Sequence, residues 1–175
     1  MQDEIKKACE TLKQGGIILF PTDTSWGVGC DATNEAAVEK IFTITQSSDK
    51  KTIVALLDNP IKLQQYISNV PEIAWDLIEL ADKPLTIIYD GAKSLAQNLI
   101  AEDGSVGIRI TNERFSNALC KQFRQPIAFA YLKINPEIKK QVDYVVDYGK
   151  IKDSEIIQPG IIKLKNDGTI IVIQK

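Results

Sequence analysis

Ile5, Ala8, Cys9 and Leu12 fall at i, i+3, i+4 and i+7, which places them on one stripe of an opening helix that Gly15-Gly16 ends. Ile17 to Phe20 reads as a buried strand stopped by Pro21, and Thr22-Asp23-Thr24 as a polar turn before an extended piece from Trp26 to Cys30. Asn34 is the expected N-cap of a second helix with Ala37, Val38, Ile41, Phe42 and Ile44 on the 3.6-residue period. That helix runs into the polar stretch from Thr45 to Lys51.

Ile53 to Leu57, Leu85 to Tyr89 and Val106 to Ile110 are predicted strands. Pro60 and Pro71 read as first-turn prolines of short helices between them. Phe115, Ala118, Leu119 and Phe123 mark a further amphipathic helix, with strands expected at Ile127 to Leu132 and Tyr144 to Val146. Asn166-Asp167-Gly168 is a hairpin turn between Ile161–Leu164 and Thr169–Ile173. Strands alternating with helices imply an α/β fold with a mixed sheet. With no internal repeat, low-complexity tract or linker, residues 1–175 read as a single domain.

Composition narrows the chemistry. The 44% apolar and 25% charged make-up is that of a globular chain, and no apolar run suggests a membrane span or leader, so a cytoplasmic location is expected. Twenty-one Lys and Arg against 23 Asp and Glu leave a net charge of -2, which supplies no broad positive field for nucleic acid. Histidine is absent, removing the usual proton shuttle and the commonest metal ligand. Cys9, Cys30 and Cys120 are odd in number and far apart, so they read as core thiols, with neither a disulfide framework nor a zinc site signalled.

The segment Gly15-Gly16-Ile17-Ile18-Leu19-Phe20-Pro21-Thr22-Asp23-Thr24-Ser25-Trp26-Gly27-Val28-Gly29-Cys30-Asp31-Ala32 resembles the signature of the YrdC-like threonylcarbamoyl-AMP synthase family. Lys83-Pro84-Leu85-Thr86, Gly107-Ile108-Arg109 and Ile161-Ile162-Lys163 follow in the family's order, so the resemblance covers nearly the whole chain. It implies a twisted open mixed parallel/antiparallel sheet with flanking helices and a concave pocket. In catalytic members that pocket joins L-threonine, bicarbonate and ATP, with Mg as the nucleotide's companion ion, into threonylcarbamoyl-adenylate for tRNA modification. Nucleotide, and more weakly tRNA or double-stranded RNA, are the partners it implies.

The departures are equally specific. Where the family shows K-x-R-x-x-x-K-P, this chain has Thr45-Gln46-Ser47-Ser48-Asp49-Lys50-Lys51-Thr52, keeping only the last lysine. Phe129-Ala130-Tyr131-Leu132-Lys133 replaces S-x-S-A-N, and Pro159-Gly160-Ile161 replaces P-S-[ST]-[IV]. A charge-assisted hydrogen bond contributes about 1.5–3 kcal/mol, so two absent cations forfeit roughly 3–6 kcal/mol, about a hundredfold to ten-thousandfold in rate. The expectation is an eroded site with little or no synthase activity that retains nucleotide or RNA binding. Two alternatives stand beside it: an active synthase with Lys50, Lys51 and Lys133 as relocated cations, and a non-enzymatic interaction module.

Thr22, Thr24, Trp26, Lys50, Lys51 and Arg109 are the candidate binding residues, and none is assigned a catalytic role. Each has a plainer reading. Thr22-Asp23-Thr24 is equally a locally satisfied turn, Trp26 a packing residue, and Lys50-Lys51 a solvated loop. A cation in a strand, as Arg109 is, faces a pocket or is held in a salt bridge. Phe129 and Tyr131 either fill the pocket or line it for a flatter ligand.

Overall fold

The computed structural model describes residues 1–149 and 156–175. Helix α1 (Gln2–Lys13) buries the predicted stripe Ile5, Ala8, Cys9 and Leu12. It ends where Gly15, at φ 77, turns the chain so that Gly16 N–H reaches Thr11 O at 2.9 Å and Gly15 N–H reaches Leu12 O at 3.0 Å. Those two bonds satisfy carbonyls that the last helical turn would leave open. Strand β1 (Ile18–Pro21) pairs antiparallel with β2 (Trp26–Asp31). Pro21 ends the strand as expected and is itself its last paired residue, opposite Trp26. A proline is tolerated there because the strand ends at that point and Thr22 N–H makes the next bond, to Ser25 O at 2.9 Å.

Asn34 caps α2 (Glu35–Thr45) as predicted, its side chain accepting from Ala37 N–H at 3.1 Å. A 3-10 turn (Lys50–Thr52) leads into β3 (Ile53–Leu57), and a second one (Pro60–Gln65) opens on its proline. Helix α3 (Ile73–Leu80) starts two residues beyond Pro71, whose carbonyl accepts from Ala74 N–H. Then follow β4 (Leu85–Tyr89), β5 (Val106–Ile110), α4 (Arg114–Phe123) and β6 (Ile127–Tyr131). Beyond β6 the chain enters α5 (Pro136–Gln141), capped by Asn135, whose side chain accepts from Ile138 N–H at 3.0 Å. Strand β7 (Tyr144–Val145) and the hairpin β8 (Gly160–Leu164) and β9 (Ile170–Gln174) complete the described elements.

The nine strands form one sheet in the order β7-β1-β2-β6-β3-β5-β4-β8-β9. Three of the pairings, β1 with β7, β3 with β5 and β4 with β8, are parallel and the others antiparallel. This is the mixed open sheet with flanking helices that the sequence implies. On one face, here the front, Ile18, Phe20, Leu56, Ile127 and Phe129 pack under α1 and α4. On the rear face Leu19, Val28, Ala55, Ile87 and Ile108 join the larger core beneath α2.

Two glycines of β2 make the front packing work. A Cβ on Gly27 would fall 2.5 Å from Phe129 Cε2 and clash with Ala130 O, and one on Gly29 would fall 2.5 Å from Phe20 Cε1. Their bare backbone lets the Phe20 and Phe129 rings meet edge to face, centroids 5.7 Å apart. Cys9, Cys30 and Cys120 are buried free thiols, as expected of core cysteines.

Candidate ligand site

Arg109 is the organising side chain of the front face. Alternation along β5 turns it forward beside Thr86, its register partner on β4. It is 3% exposed, a position a cation keeps only with partners. Its Nε lies 3.1 Å from Asp23 Oδ1, its Nη2 donates to Thr24 Oγ1 at 3.1 Å, and its guanidinium sits over the Phe129 ring, 5.7 Å from the centroid. The Nε and Oδ1 atoms are an ion pair by distance, yet neither has an aligned hydrogen bond although both are buried.

The β1–β2 turn supplies these partners. Thr22 Oγ1 donates to Ser25 O at 2.7 Å and lies 3.2 Å from Thr24 Oγ1, while Ser25 N–H donates back to Thr22 Oγ1 at 3.3 Å. Thr24 thereby presents its hydroxyl to Arg109, and its carbonyl accepts from Ile157 N–H at 2.8 Å. Burial pushes the Asp23 carboxyl above its ordinary value, with the Arg109 guanidinium pulling the other way. Burial likewise lowers Arg109, with Asp23 opposing. In both partners the effect of burial is larger than that of pairing.

In front of this pair lies a cavity of about 250 Å3. Thr24, Thr86, Arg109 and Lys51 give it polar points, and Val54, Phe129, Tyr131, Ile157 and Ile161 give it apolar walls. A smaller cavity of about 70 Å3 adjoins it and shares Lys51, Val54 and Thr86, with Lys50 at its edge. Thus Thr24, Lys50, Lys51 and Arg109 converge on one region of the sheet. Thr22 serves the turn, and Trp26 is half-buried against the cores; neither lines the cavities. Phe129 lines the cavity wall, and Tyr131, 51% exposed, stands at its rim.

Most cations here are already engaged. Lys50 Nζ donates to Ile100 O at 2.8 Å, Lys163 Nζ pairs with Asp103 at 3.2 Å, and Arg109 is held as described. Among the described residues, Lys51 is the cation lining these cavities whose side chain is not committed to another protein group. No cluster of three or more His, Cys, Asp or Glu able to hold a metal occurs among the described residues.

Thr86 escaped the sequence reading as a lining residue, and its signal was a hydroxyl interrupting the apolar run of β4. The partnership of Asp23 with Arg109 joins residues from distant parts of the chain, which sequence spacing does not reveal. Nor does sequence show that Gln158 and Pro159 close one side of the cavity.

The Sua5/YciO/YrdC family profile, described as telomere recombination, matches residues 10–173. The chain belongs to this family. A threonylcarbamoyl-AMP synthase of Pseudoalteromonas translucida is 30% identical over 129 residues, which cover 72% of this chain and 69% of that protein. Among solved structures, YciO of E. coli superposes with a TM-score of 0.83 at 25% identity, over 100% of this chain and 90% of that one. Sua5 of P. abyssi in complex with L-threonine gives the same TM-score at 19% identity, and here the chain spans 53% of the neighbour's length. Within the family the fold is thus shared with members of quite different size. Among the described residues no helix is long and apolar enough to cross a membrane.

Proposed function

We propose that this chain is a divergent member of the threonylcarbamoyl-AMP synthase branch of its family, one that keeps a small-ligand cavity but makes little or no threonylcarbamoyl-adenylate. The observation that carries this reading is the commitment of the front-face cations. A reaction centre joining ATP and bicarbonate gathers several negative charges and needs free cations where charge builds up. Here Arg109 is paired with Asp23, Lys50 is held by a backbone carbonyl, and Lys51 alone among the described lining cations has a free ammonium.

What remains suits a smaller ligand. A cavity of about 250 Å3 lies below the roughly 300–1,000 Å3 common for drug-sized molecules. The Thr24 and Thr86 hydroxyls and Lys51 offer a few polar contacts against apolar walls, which fits a compact molecule with one anionic group. The L-threonine bound by Sua5 of P. abyssi supports an amino acid as that class. A nucleotide would bring its own magnesium on its phosphates, and it would meet Lys51 as its main cationic contact. The competing reading, an active synthase on Lys50, Lys51 and Lys133, requires Lys50 to leave Ile100, and Lys133 does not line either cavity.

Calorimetric titration with ATP, L-threonine and double-stranded RNA in parallel tests the reading. It expects weak or absent ATP binding; sub-micromolar ATP affinity overturns it in favour of the active synthase. Absence of binding by all three favours the interaction module.

A further inference from the structure

The reverse face of the sheet holds a second, larger cavity of about 340 Å3 that shares no lining residue with the front ones. Strand alternation separates them: Thr86 and Arg109 face forward, whereas Leu85, Ile87, Tyr89, Ile108 and Ile110 face back. Ile78 of α3 lies across the apolar floor these residues make.

The mouth has a different character. Asp82, Lys83, Asn112 and Glu113 surround it, with Asp23 behind. Lys83 makes no ion pair with these acids among the described residues, and its ammonium is drawn to the backbone oxygen of Lys175. Asp23 is matched by Arg109. Glu113 accepts one backbone N–H on each oxygen, from Phe115 at 3.0 Å and Ser116 at 2.7 Å. A carboxylate has about four acceptor positions, so Glu113 keeps capacity for another donor. Asp82 is exposed and, among the described residues, makes no ion pair.

Independently of those acids, the inner wall carries a hydroxyl, that of Tyr89. Tyr89 is 1% exposed and lines the cavity. Burial pushes its pKa up and so keeps the phenol neutral. The hydroxyl is not among the sealed, unpaired side-chain atoms of the described residues, which are Asp23 Oδ1, Asn98 Oδ1 and Arg109 Nε, so it is a donor and acceptor that a molecule in the cavity can reach.

We propose that the rear cavity is a binding site for a small amphipathic amine. Its aliphatic body lies along Ile78, Leu85, Ile87 and Ile108, its ammonium is held by Asp82 and Glu113, and a polar atom at its inner end meets the Tyr89 hydroxyl. Leu85 and Tyr89 are four residues apart on β4, about 13 Å, which sets the length of the molecule. This site does not depend on how the front cavity is used.

The probes are primary alkylamines from butyl to decyl, the matching terminal amino alcohols, and alkyl carboxylates of equal length. Affinities are read by calorimetry and by the NMR signals of Tyr89. Amines are expected to bind at least about tenfold more tightly than carboxylates, with amino alcohols of fitting length tightest, and to shift the Tyr89 signals. Asp82→Lys, a surface change, is expected to weaken amine binding about tenfold without moving the unfolding midpoint. Ile78→Trp, checked for folding by circular dichroism, is expected to fill the floor and abolish it. Equal affinity for carboxylates, unchanged Tyr89 signals, amine binding unaffected by Asp82→Lys, or no binding by any probe overturns the proposal.

Discussion

Asp23 lines the rear cavity and Arg109 the front one, and the two side chains meet as an ion pair 3.1 Å long at the end of β5. The pair ties the β1–β2 turn to the strand carrying Arg109. It is nearly dry, with Arg109 3% and Asp23 11% exposed at the side chain. Removing the cation strands the buried Asp23 carboxylate, so Arg109→Met is expected to destabilise the fold at neutral pH by about 3–5 kcal/mol. The double variant Asp23→Asn with Arg109→Met is expected to lose less than the sum of the single changes. Urea unfolding of the three variants checks this; additive losses would mean that the two groups are not coupled.

Gly27 supplies the next test. A Cβ there meets the Phe129 ring and the Ala130 carbonyl, and the latter is backbone that cannot rotate away. Gly27→Ala is therefore expected to cost about 1–3 kcal/mol, although alanine suits a strand no worse than glycine does. Thermal unfolding measures it, and an unchanged midpoint would show that β2 and β6 separate freely.

Much of the fold was legible because its apolar periods are unbroken. Ile5, Ala8, Cys9 and Leu12 are all buried as their spacing implies, and Asn34 caps the helix it was expected to cap. Helix α5 was not legible, since six residues hold too few apolar positions to display a period, though Asn135-Pro136 carried a start signal. Pro21 marked the end of β1 to within one residue, because a proline can be the last paired residue of a strand. At the site, the family signature drew attention to Thr24, Lys51 and Arg109, and to Phe129 and Tyr131 at the eroded positions. The engagement of Lys50 with Ile100 and of Arg109 with Asp23 depends on contacts between residues 50 and 86 positions apart, which no local pattern encodes.

Acid sensitivity follows from two lowered carboxyls. Hydrogen bonds from the Ser105 hydroxyl and amide, helped by Lys163, bring Asp103 down to about 2. The Tyr144 hydroxyl and the Asp147 N–H, each 2.6 Å from Glu4 Oε1, lower Glu4 against the opposing effect of burial. A folded-state value below the unfolded one adds stability that is present above the unfolded value and lost as pH falls through the folded value. Asp23, raised by burial, has the opposite sign: its charge is unfavourable at neutral pH, and protonation relieves it. Unfolding midpoints are expected to drop between about pH 5 and pH 2. Asp103→Asn is expected to flatten the lower part of that fall, and an unaltered profile would count against the Ser105 and Lys163 bonds.

Lys51 is the test of front-face anion binding. If it is the free cation there, Lys51→Gln is expected to weaken whatever anionic ligand binds, L-threonine being the first to try, by about tenfold. The fold should stay intact, since the residue is exposed. Calorimetry at low and high salt reads both the loss and its screening; undiminished affinity would place the anion elsewhere.

The most direct measurement of the central claim is pyrophosphate release by the purified protein with ATP, supplied with and without L-threonine and bicarbonate. With Lys51 as the one uncommitted lining cation among the described residues, release that depends on both co-substrates is expected at least about a hundredfold below that of a family member retaining K-x-R and S-x-S-A-N. Release at a comparable rate, with threonylcarbamoyl-adenylate as product, would contradict the account.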